Sequence, residues 1–452
     1  MDRETGRSVQ ARSLLVGAAR SGIAAAGLLK SKGAVVFVSD NKRREEAADE
    51  ISALEKLGVP FEFGAHSDRV FDADFIVISP GVPSSSAVVL HAVKLGLSIY
   101  SEVEVASWFC RAPIVAITGS NGKTTTTTLI GKILQNAGRR TIVAGNIGPP
   151  ISDFVLDADK ASVVVAEVSS FQLDYIDTFK PTVAVLLNIT PDHLDRYGTF
   201  EAYMDSKFRI FMNQDPDDCA VYNFDDEAVN SYCRGLKSEL LPFSVKNRMG
   251  AGAFAEGGKV YLVENGAPVF LIDSKDIRIP GVHNLYNSLA ASLAAWRLGV
   301  GKEVIAETLR EFPGVEHRLE PVRELNSVRY VNDSKATNVD AVWYALGSFD
   351  SQVVLIAGGK DKGNDYTSLF ELVRKKVRAM VLIGQAAPKM LREFSDKTKC
   401  VMATSLDDAV VKARDEALPG DVVLLSPACA SFDMFKNYEH RGKEFKRLVM
   451  AL

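Results

Sequence analysis

The stretch Thr118-Gly-Ser-Asn-Gly-Lys-Thr-Thr125 decides the fold class of this chain. The β-branched run at residues 114–118 predicts a buried strand before it, and residues 124–137 predict a helix after it. Glycine and small residues between the two allow backbone N–H groups to approach phosphate oxygens at the start of a helix. The stretch therefore predicts a phosphate-binding loop in an α/β domain, although its spacing is shorter than the usual P-loop signature.

Strand and helix patterns alternate along the rest of the chain. Apolar runs predict further strands at residues 14–17, 35–40, 75–79, 163–167, 183–188, 329–331, 353–357, 379–383 and 422–425. Such alternation is typical of parallel sheets covered by helices. Residues 251–280 differ, because glycine-rich turns there separate short strands of a small antiparallel subregion, which precedes a helix at 285–298.

The length of 452 residues is too great for one core, since domains typically hold roughly 100–200 residues. We therefore expect an α/β protein of three domains. Residues 1–110 would form a Rossmann-like N-terminal domain. Residues 111–312 would form a central P-loop mononucleotide-binding domain that includes the antiparallel subregion, and residues 313–452 a C-terminal Rossmann-like domain.

The composition favours a globular protein with small-molecule partners. Hydrophobic residues make up 47% and charged residues 24% of the chain, and the net charge is -4. These values disfavour disorder and give no reason to expect a nucleic-acid or membrane partner. The opening residues lack the apolar run of a signal peptide, and no later run is long enough to span a membrane. The five cysteines are widely spaced, which favours reduced thiols, so we expect a cytoplasmic protein. We also expect it to be a monomer.

Two glycine-bearing turns in the first domain suggest a second nucleotide site. Gly17-Ala-Ala-Arg-Ser-Gly22 follows the first strand, and Asp40 ends the second strand at the offset of a dinucleotide fold. Ala19 replaces the middle glycine of that motif, so these residues alone fit tight strand–helix packing equally well. Ser79-Pro-Gly-Val-Pro83 follows another strand. Two turns at one sheet edge favour a diphosphate ligand, whereas NAD has little support.

Side chains in and after the P-loop are candidates for phosphate and metal chemistry. Lys123 is placed to hold terminal phosphates and Thr124 to offer its hydroxyl to Mg²⁺. Glu167 ends a predicted strand, where a carboxylate can complete Mg²⁺ coordination. His193 and Lys207 are less specific, because a lone histidine is more often structural and a lone lysine is usually solvated.

An ordered set of motifs along the chain resembles the Mur ligase family. The motifs are the P-loop, Gly145-Asn-Ile-Gly148, Glu167-Val-Ser-Ser-Phe-Gln-Leu173, Asn188 with Asp192-His-Leu-Asp195, Gly281-Val-His-Asn-Leu-Tyr-Asn287, His317-Arg318, Asn332-Asp-Ser-Lys-Ala-Thr-Asn338 and Ser426-Pro-Ala-Cys-Ala-Ser-Phe-Asp433. The match runs nearly from end to end, so together the motifs are far more specific than any one of them.

The resemblance implies an ATP-dependent ligase of peptidoglycan precursor synthesis. Its expected partners are ATP, UDP-N-acetylmuramoyl-L-alanine and D-glutamate. A substrate carboxylate would attack the γ-phosphate to give an acyl phosphate, and the amine of D-glutamate would then displace phosphate. Because two anions must meet, the site needs cations, and the resemblance implies two Mg²⁺ ions and a carbamate on Lys207.

The resemblance also assigns roles to particular residues. The catalytic group would be Lys123, His193, Lys207 and Arg318. The ATP site would comprise Gly119, Ser120, Asn121, Gly122, Lys123, Thr124, Thr125, Asn287, Arg318 and Asp333. The metal ligands would be Thr124, Glu167, His193 and Lys207. The uridine diphosphate substrate would meet Gly17, Ser21, Asp40, Ser79, Gly81 and Asn146. D-glutamate would meet Lys335, Thr337, Lys362, Ser431 and Tyr438.

Other interpretations of the sequence remain open at this point. A P-loop switch or motor would leave the first and third domains unexplained. A dehydrogenase built on the opening Rossmann-like unit would not explain Lys123, and Ala19 weakens it further. Another ligase of Mur type or of folylpolyglutamate type would keep the ATP chemistry and take a different acceptor.

Overall fold

A computed structural model describes residues 11–361 and 363–452, with the backbone alone at Asp195. The chain divides into two compact units. The first contains the chain up to Ser274 together with Tyr286–Thr308, and the second contains Lys275–Leu285 and Leu309–Leu452. Within the described residues there are three sheets, two in the first unit and one in the second.

The first sheet is parallel, and a crevice lies at the carboxyl ends of two of its strands. Its strands are β1 (Arg12–Val16), β2 (Val35–Asp40), β3 (Phe61–Phe63), β4 (Phe75–Ile78) and β5 (Ser98–Ser101), and its helices are α1 (Arg20–Ser31), α2 (Ala48–Leu57), α3 (Ala87–Lys94) and α4 (Glu102–Ser107). The strand order is β3-β2-β1-β4-β5. Because the order reverses between β1 and β4, the carboxyl ends of these two strands form the crevice where open α/β sheets bind ligands.

The second sheet carries the P-loop. Its strands are β6 (Ile114–Thr118), β7 (Arg140–Gly145), β8 (Ser162–Glu167), β9 (Val183–Leu186), β10 (Cys219–Asn223), β11 (Glu239–Ser244), β12 (Gly252–Glu256), β13 (Lys259–Glu264) and β14 (Ala267–Asp273). Helices of this part are α5 (Lys123–Asn136), α6 (Ser170–Leu173), α7 (Leu194–Tyr197), α8 (Phe200–Phe208), α9 (Glu227–Cys233) and α10 (Val282–Arg297). The order is β14-β13-β12-β11-β10-β9-β6-β8-β7, so β6, β8 and β9 are neighbours at the switch point.

Helix α5 is held against this sheet by an apolar face. Leu129, Ile130, Ile133 and Leu134 are fully buried at the spacing of one helical face. Gly131 lies so close to β7 that a Cβ there would come within 2.4 Å of a Val143 methyl carbon. This close packing fixes the start of α5 beside the carboxyl ends of β6 and β8.

The third sheet lies in the second unit. Its strands are β15 (Glu320–Leu325), β16 (Val328–Asn332), β17 (Val353–Gly358), β18 (Val377–Ile383), β19 (Lys399–Met402) and β20 (Val422–Leu425). The remaining helices are α11 (Lys302–Glu311), α12 (Val339–Gly347), α13 (Phe370–Lys376), α14 (Ala387–Phe394), α15 (Leu406–Glu416) and α16 (Tyr438–Ala451). The order is β15-β16-β20-β17-β18-β19, and the edge pair β15 and β16 is antiparallel.

The predicted fold class is confirmed, since α/β sheets dominate all three parts of the chain. The antiparallel strands predicted at 251–280 are present as β12, β13 and β14, but they extend the second sheet rather than forming a sheet of their own. The domain limits near 110 and 312 stay predictions. All five cysteines are free thiols. Among the described helices, none is both long and apolar enough to cross a membrane.

Candidate active site

The P-loop is a turn that only glycine can form at two positions. Gly119 and Gly122 have φ angles of 149° and 86°, which side-chain-bearing residues rarely adopt. A Cβ on Gly122 would also lie 2.3 Å from Oδ1 of Asn287. Asn287, predicted to contact ATP, is therefore placed directly against the loop. Thr125 is buried in the first turn of α5.

Two lysine side chains converge on one carbonyl oxygen of this loop. Lys123 Nζ donates to Gly119 O at 2.8 Å and to Ser120 O at 3.0 Å. Lys207 Nζ, from α8, donates to the same Gly119 O at 2.9 Å. The structure thus brings together two of the predicted catalytic residues, which are 84 positions apart in the sequence.

Lys207 is buried, with only 1% of its surface exposed. Burial, reinforced by the charge of Lys123, lowers the pKa of Lys207 well below its ordinary value, against the opposing effect of carboxylates such as Asp192. A neutral amine is the form that can add CO₂, whereas a buried ammonium would oppose metal binding. The setting of Lys207 is therefore chemically suited to carbamylation.

Oxygen donors for a metal ion lie at the start of α5 and the end of β8. Thr124 Oγ1 donates to Glu167 Oε2 at 2.8 Å, and Asn146 Nδ2 donates to Glu167 Oε1 at 2.8 Å. Glu167 is 1% exposed. A hydroxyl and a carboxylate beside a phosphate-binding loop are the ligand types that Mg²⁺ prefers, so these residues fit the ion. Asn146, predicted for the uridine substrate, lies here because it directly follows β7.

His193 lies at the start of α7 with a φ angle of 54°, in the left-handed region. Its Nε2 is 3.7 Å from Asp192 Oδ2, and its ring centroid is 4.8 Å from that of Phe171. Tyr203 links it to Lys207, because the Tyr203 ring is 6.3 Å from the His193 ring and 4.7 Å from Lys207 Nζ. Two of the predicted metal ligands, His193 and Lys207, therefore both lie beside Tyr203.

Two residues that hold the loop were given no role by the sequence. Asn188 Oδ1 accepts from Asn121 N at 2.8 Å, and Asn188 Nδ2 donates to Asn121 O at 3.0 Å. Tyr203 OH lies 3.1 Å from Ser120 Oγ, which donates to Thr190 O. Asn188 stands in one of the family motifs, which was a usable signal. Tyr203 carried none, because its contact depends on how α8 packs.

A cavity of about 410 Å³ lies at the crevice of the first sheet. Six residues were predicted to meet the uridine diphosphate substrate. Four of them, Gly17, Asp40, Ser79 and Gly81, line this cavity, whereas Ser21 and Asn146 are not among the described residues that do. Asp40 supports the turn above β1, because Oδ2 accepts from Ala18 N at 2.6 Å.

Tight packing also explains the two glycines of the first turn. A Cβ on Gly17 would lie 2.7 Å from the Cβ of Ser79, and a Cβ on Gly22 would lie 2.0 Å from Gly17 O. Tight packing alone is therefore enough to require both glycines, and nucleotide binding by this turn stays a prediction.

The second unit groups Arg318 with Asp333. Arg318 Nη1 is 3.8 Å from Asp333 Oδ1, and Ser426 Oγ donates to Asp333 Oδ2 at 2.8 Å. Burial raises the pKa of Asp333 to about 6, although Arg318 opposes the shift. Arg318 stands between His317 and Leu319, whose φ angles of 65° and 44° are both left-handed. A strained turn thus presents this arginine.

Two loops of the second unit carry Lys335, Thr337 and Ser431, three of the residues predicted for D-glutamate, and Tyr438 begins α16. Lys335 Nζ lies 5.2 Å from the centroid of the Tyr438 ring, and Thr337 follows on the same loop after β16. Ser431 is buried on the loop after β20. Lys362 lies outside the described residues. Arg441 joins the two loops, because its guanidinium donates to Ser334 O at 2.8 Å and to Cys429 O at 3.2 Å.

Comparison with known families covers all three parts of the chain. Residues 11–101 match the Mur ligase MurD-like N-terminal domain, residues 117–295 the Mur ligase middle domain, and residues 317–429 the Mur ligase glutamate ligase domain. The UDP-N-acetylmuramoylalanine--D-glutamate ligase of Salinibacter ruber is 51% identical over 452 residues, with 98% of each chain covered. The enzyme of the same name from Chloroherpeton thalassium is 47% identical over 459 residues, with the same coverage.

Solved structures share the fold at much lower identity. A pseudomurein peptide ligase type C from Methanothermus fervidus aligns with a TM-score of 0.62 and 20% identity over 97% of this chain and 99% of its own. The MurF ligase from Thermotoga maritima in complex with ADP aligns with a TM-score of 0.62 and 17% identity over 99% and 100%. The fold, the P-loop site and the 51% identity to a named relative over nearly the whole chain all lead to the same conclusion: this chain belongs to the Mur ligase family.

Proposed function

We propose that this Mur ligase joins D-glutamate to UDP-N-acetylmuramoyl-L-alanine, with cleavage of ATP to ADP and phosphate, in peptidoglycan precursor synthesis. Relatives named for this activity match almost the whole chain at 51% and 47% identity. The structural observation that carries the proposal is the pair of lysines on Gly119 O beside the Thr124–Glu167 contact. Such a site combines one phosphate-binding cation, Lys123, with residues that would hold metal ions, and together these can bring two anions close to each other.

The P-loop binds the phosphates of ATP. In the structure Lys123 Nζ is held by two carbonyl oxygens of its own loop, so phosphate oxygens can replace these acceptors when ATP arrives. Because α5 begins at Lys123, the N-terminus of this helix adds a favourable field for an anion at the loop. Lys123 thereby neutralises charge on the γ-phosphate as the substrate carboxylate approaches.

The reaction then proceeds in two displacement steps. A carboxylate oxygen of the muramoyl-alanine substrate attacks the γ-phosphorus, and the bond from that phosphorus to ADP breaks, which gives an acyl phosphate. The amine of D-glutamate next attacks the acyl carbon, and inorganic phosphate leaves from a tetrahedral intermediate. Positioning and charge neutralisation contribute most of the catalysis, because the carboxylate and ATP otherwise repel each other.

Metal ions would complete the charge balance of this site. Thr124 and Glu167 would hold one Mg²⁺ at the phosphates, and His193 and a carbamylated Lys207 would hold a second. Bound Mg²⁺ would screen the charges of the carboxylate and the triphosphate from each other. The carbamate of Lys207 would supply anionic oxygens where the unmodified side chain supplies a nitrogen alone.

Lys335, Thr337, Lys362, Ser431 and Tyr438 would recognise D-glutamate. A dicarboxylate requires cations and hydroxyl donors, and this set contains two lysines and three hydroxyl groups. A site that pairs a buried carboxylate leaves its own polar groups unpaired when that carboxylate is missing, which discriminates strongly. D-alanine should therefore be a very poor substrate.

Product formation against a panel of acceptors and amino acids tests the proposal. ADP release should require both UDP-N-acetylmuramoyl-L-alanine and D-glutamate, and D-alanine or L-glutamate should give little. Release without an acceptor would indicate a nucleotide switch, release with a folate acceptor would indicate a folylpolyglutamate-type ligase, and a change in NAD(P)H absorbance would indicate a dehydrogenase. Any of these results would overturn the assignment.

A further inference from the structure

The cavity of the first sheet contains a histidine that no motif identified. His66 follows β3 and lines the cavity together with Asp40 and Asn41. It is half-buried. The reaction steps do not use His66, so its ring is a candidate for recognition of a ligand in the cavity.

The hydrogen bonds of His66 fix which ring nitrogen carries the proton. Ser39 Oγ donates to Glu62 Oε1 at 2.7 Å and lies 2.7 Å from His66 Nδ1. Burial raises the pKa of Glu62, but hydrogen bonds from Ser39 and Ser67 outweigh it, so the net pKa is lowered and the group is a carboxylate. The single hydroxyl proton of Ser39 is therefore used on Glu62. Its oxygen can only accept from His66, which must carry its proton on Nδ1.

The other ring nitrogen is left as an acceptor. Burial lowers the pKa of His66, although Asp40 and Glu62 oppose the shift, so the ring is neutral at pH 7. With the proton on Nδ1, Nε2 carries a lone pair. Of the side chains and backbone groups in the described ranges, none forms a hydrogen bond with Nε2, and this atom is not sealed from the surface. The cavity therefore presents a fixed, neutral hydrogen-bond acceptor.

We propose that His66 Nε2 accepts a hydrogen bond from the N3–H group of uracil and so selects a uridine diphosphate substrate over its cytidine counterpart. The inference rests on the proposed function, whose substrate carries a uridine diphosphate group, and on the prediction that Gly17, Asp40 and Ser79, which line this cavity, meet that group. Uracil donates at N3, whereas cytosine has a lone pair there. Two lone pairs would face each other with cytosine, and a site built for a donor rejects an analogue that lacks it.

Binding of UDP and CDP to the full chain tests this inference, because the two ligands differ only in the base. The wild-type protein should bind UDP at least tenfold more tightly than CDP by isothermal titration calorimetry. His66→Phe keeps a ring without an acceptor, and His66→Gln has an amide that can turn to either base. Both variants should reduce the preference to about threefold or less. His91→Gln, an exposed histidine on α3 outside the cavity lining, should keep the wild-type preference.

The outcomes separate this inference from the proposed function. A wild-type protein that binds neither nucleotide would overturn the uridine site itself. Wild-type preference retained in His66→Phe or His66→Gln would overturn the role of His66 and leave the uridine site intact. Unchanged ATP affinity in each variant checks that the fold is preserved. If His66→Phe loses ATP binding, the His66→Gln ratio decides the question.

Discussion

Gly119 O accepts hydrogen bonds from two lysines. These two side chains differ in burial, and therefore in their chemistry. Lys123 lies at the mouth of the phosphate site, whereas Lys207 is enclosed by α8 and the loop. Two neighbouring ammonium groups repel, and the more deeply buried one loses its proton more easily. The pair thus combines a phosphate-binding cation with an amine that can react with CO₂.

Replacement of Lys123 should abolish ligation without unfolding the protein. Lys123→Ala removes the phosphate cation from the first residue of α5 and creates no apolar core cavity. By the usual scale for a lost transition-state contact, kcat/KM should fall roughly a hundredfold or more. Lys132→Ala, an exposed lysine on the same helix, is the matched control and should keep normal rates. Near-normal turnover in a folded Lys123→Ala protein would contradict the P-loop assignment.

Replacement of Lys207 should distinguish a carbamate from a structural lysine. Lys207→Ala should be nearly inactive, and acetate in the assay should restore part of the activity because it brings carboxylate oxygens to the metal. Lys207→Arg should stay inactive with or without acetate, since guanidinium remains cationic and does not take up CO₂. Steady-state rates with and without acetate measure both effects. Full activity in Lys207→Arg would exclude the carbamate.

At the scale of elements, the P-loop turn depends on the absence of a side chain at Gly122. Gly122→Ala forces Cβ toward Asn287 Oδ1 at 2.3 Å, so the loop or α10 must move. We expect at least a tenfold rise in the Kd for ATP by calorimetry. Gly138→Ala is the matched control, because its φ of 75° is also left-handed but nothing lies within 4 Å of the new Cβ. It should cost about 1 kcal/mol of stability and leave ATP affinity normal. Equal ATP affinities in the two variants would show that the close approach of position 122 to Asn287 does not affect ATP binding.

Elements with continuous β-branched runs could be located from the sequence, and those with mixed composition could not. The predicted strands at 35–40 and 114–118 coincide with β2 and β6, because both faces of a parallel strand are buried and must be apolar. Edge strand β15 has the mixed sequence Glu-Pro-Val-Arg-Glu-Leu and gave no such pattern. An edge strand buries little, so its composition is weakly constrained.

In the candidate site, too, some residues could be predicted from the sequence and others could not. Lys123 and Thr124 were predicted because strand, turn and helix are adjacent in sequence. The bond from Lys207 to Gly119 O and that from Tyr203 to Ser120 Oγ join segments more than 80 residues apart. No local pattern carries such contacts, since they depend on how α8 packs. Family resemblance pointed to Lys207, but nothing in the sequence pointed to Tyr203 or His66.

At the scale of the whole molecule, the two sheets of the first unit share one continuous apolar core. Buried carboxylates bridge them. Glu104 on α4 accepts from Trp108 Nε1 at 2.7 Å, from Thr178 N at 2.9 Å and from Phe179 N at 2.8 Å, and the last two precede β9 of the second sheet. Several donors therefore satisfy the hydrogen-bonding capacity of this buried carboxylate.

Glu102, two residues earlier, is buried with far fewer partners. Its Oε1 accepts from Ser152 N at 2.7 Å, while Oε2 is sealed without a hydrogen bond from any residue that the structure describes. Burial, with a smaller contribution from Asp153, raises the pKa of Glu102 from 4.5 to about 7. The folded protein therefore binds this proton more tightly than the unfolded chain does, so the resulting stability is complete below pH 4.5 and is lost as the pH rises to 7.

This linkage predicts that the first unit weakens as the pH rises, by about 3 kcal/mol in unfolding free energy between pH 4.5 and 7. Glu102→Gln keeps the neutral shape and removes the titration, so its urea unfolding midpoint should change less between pH 5 and pH 8. At pH 8 the variant should be the more stable protein, because the wild type must bury a charge there. Glu55→Gln, on the exposed face of α2, should follow the wild type at both pH values. Parallel pH profiles for wild type and Glu102→Gln would show that this carboxyl is solvated in solution and that the two sheets do not depend on its protonation.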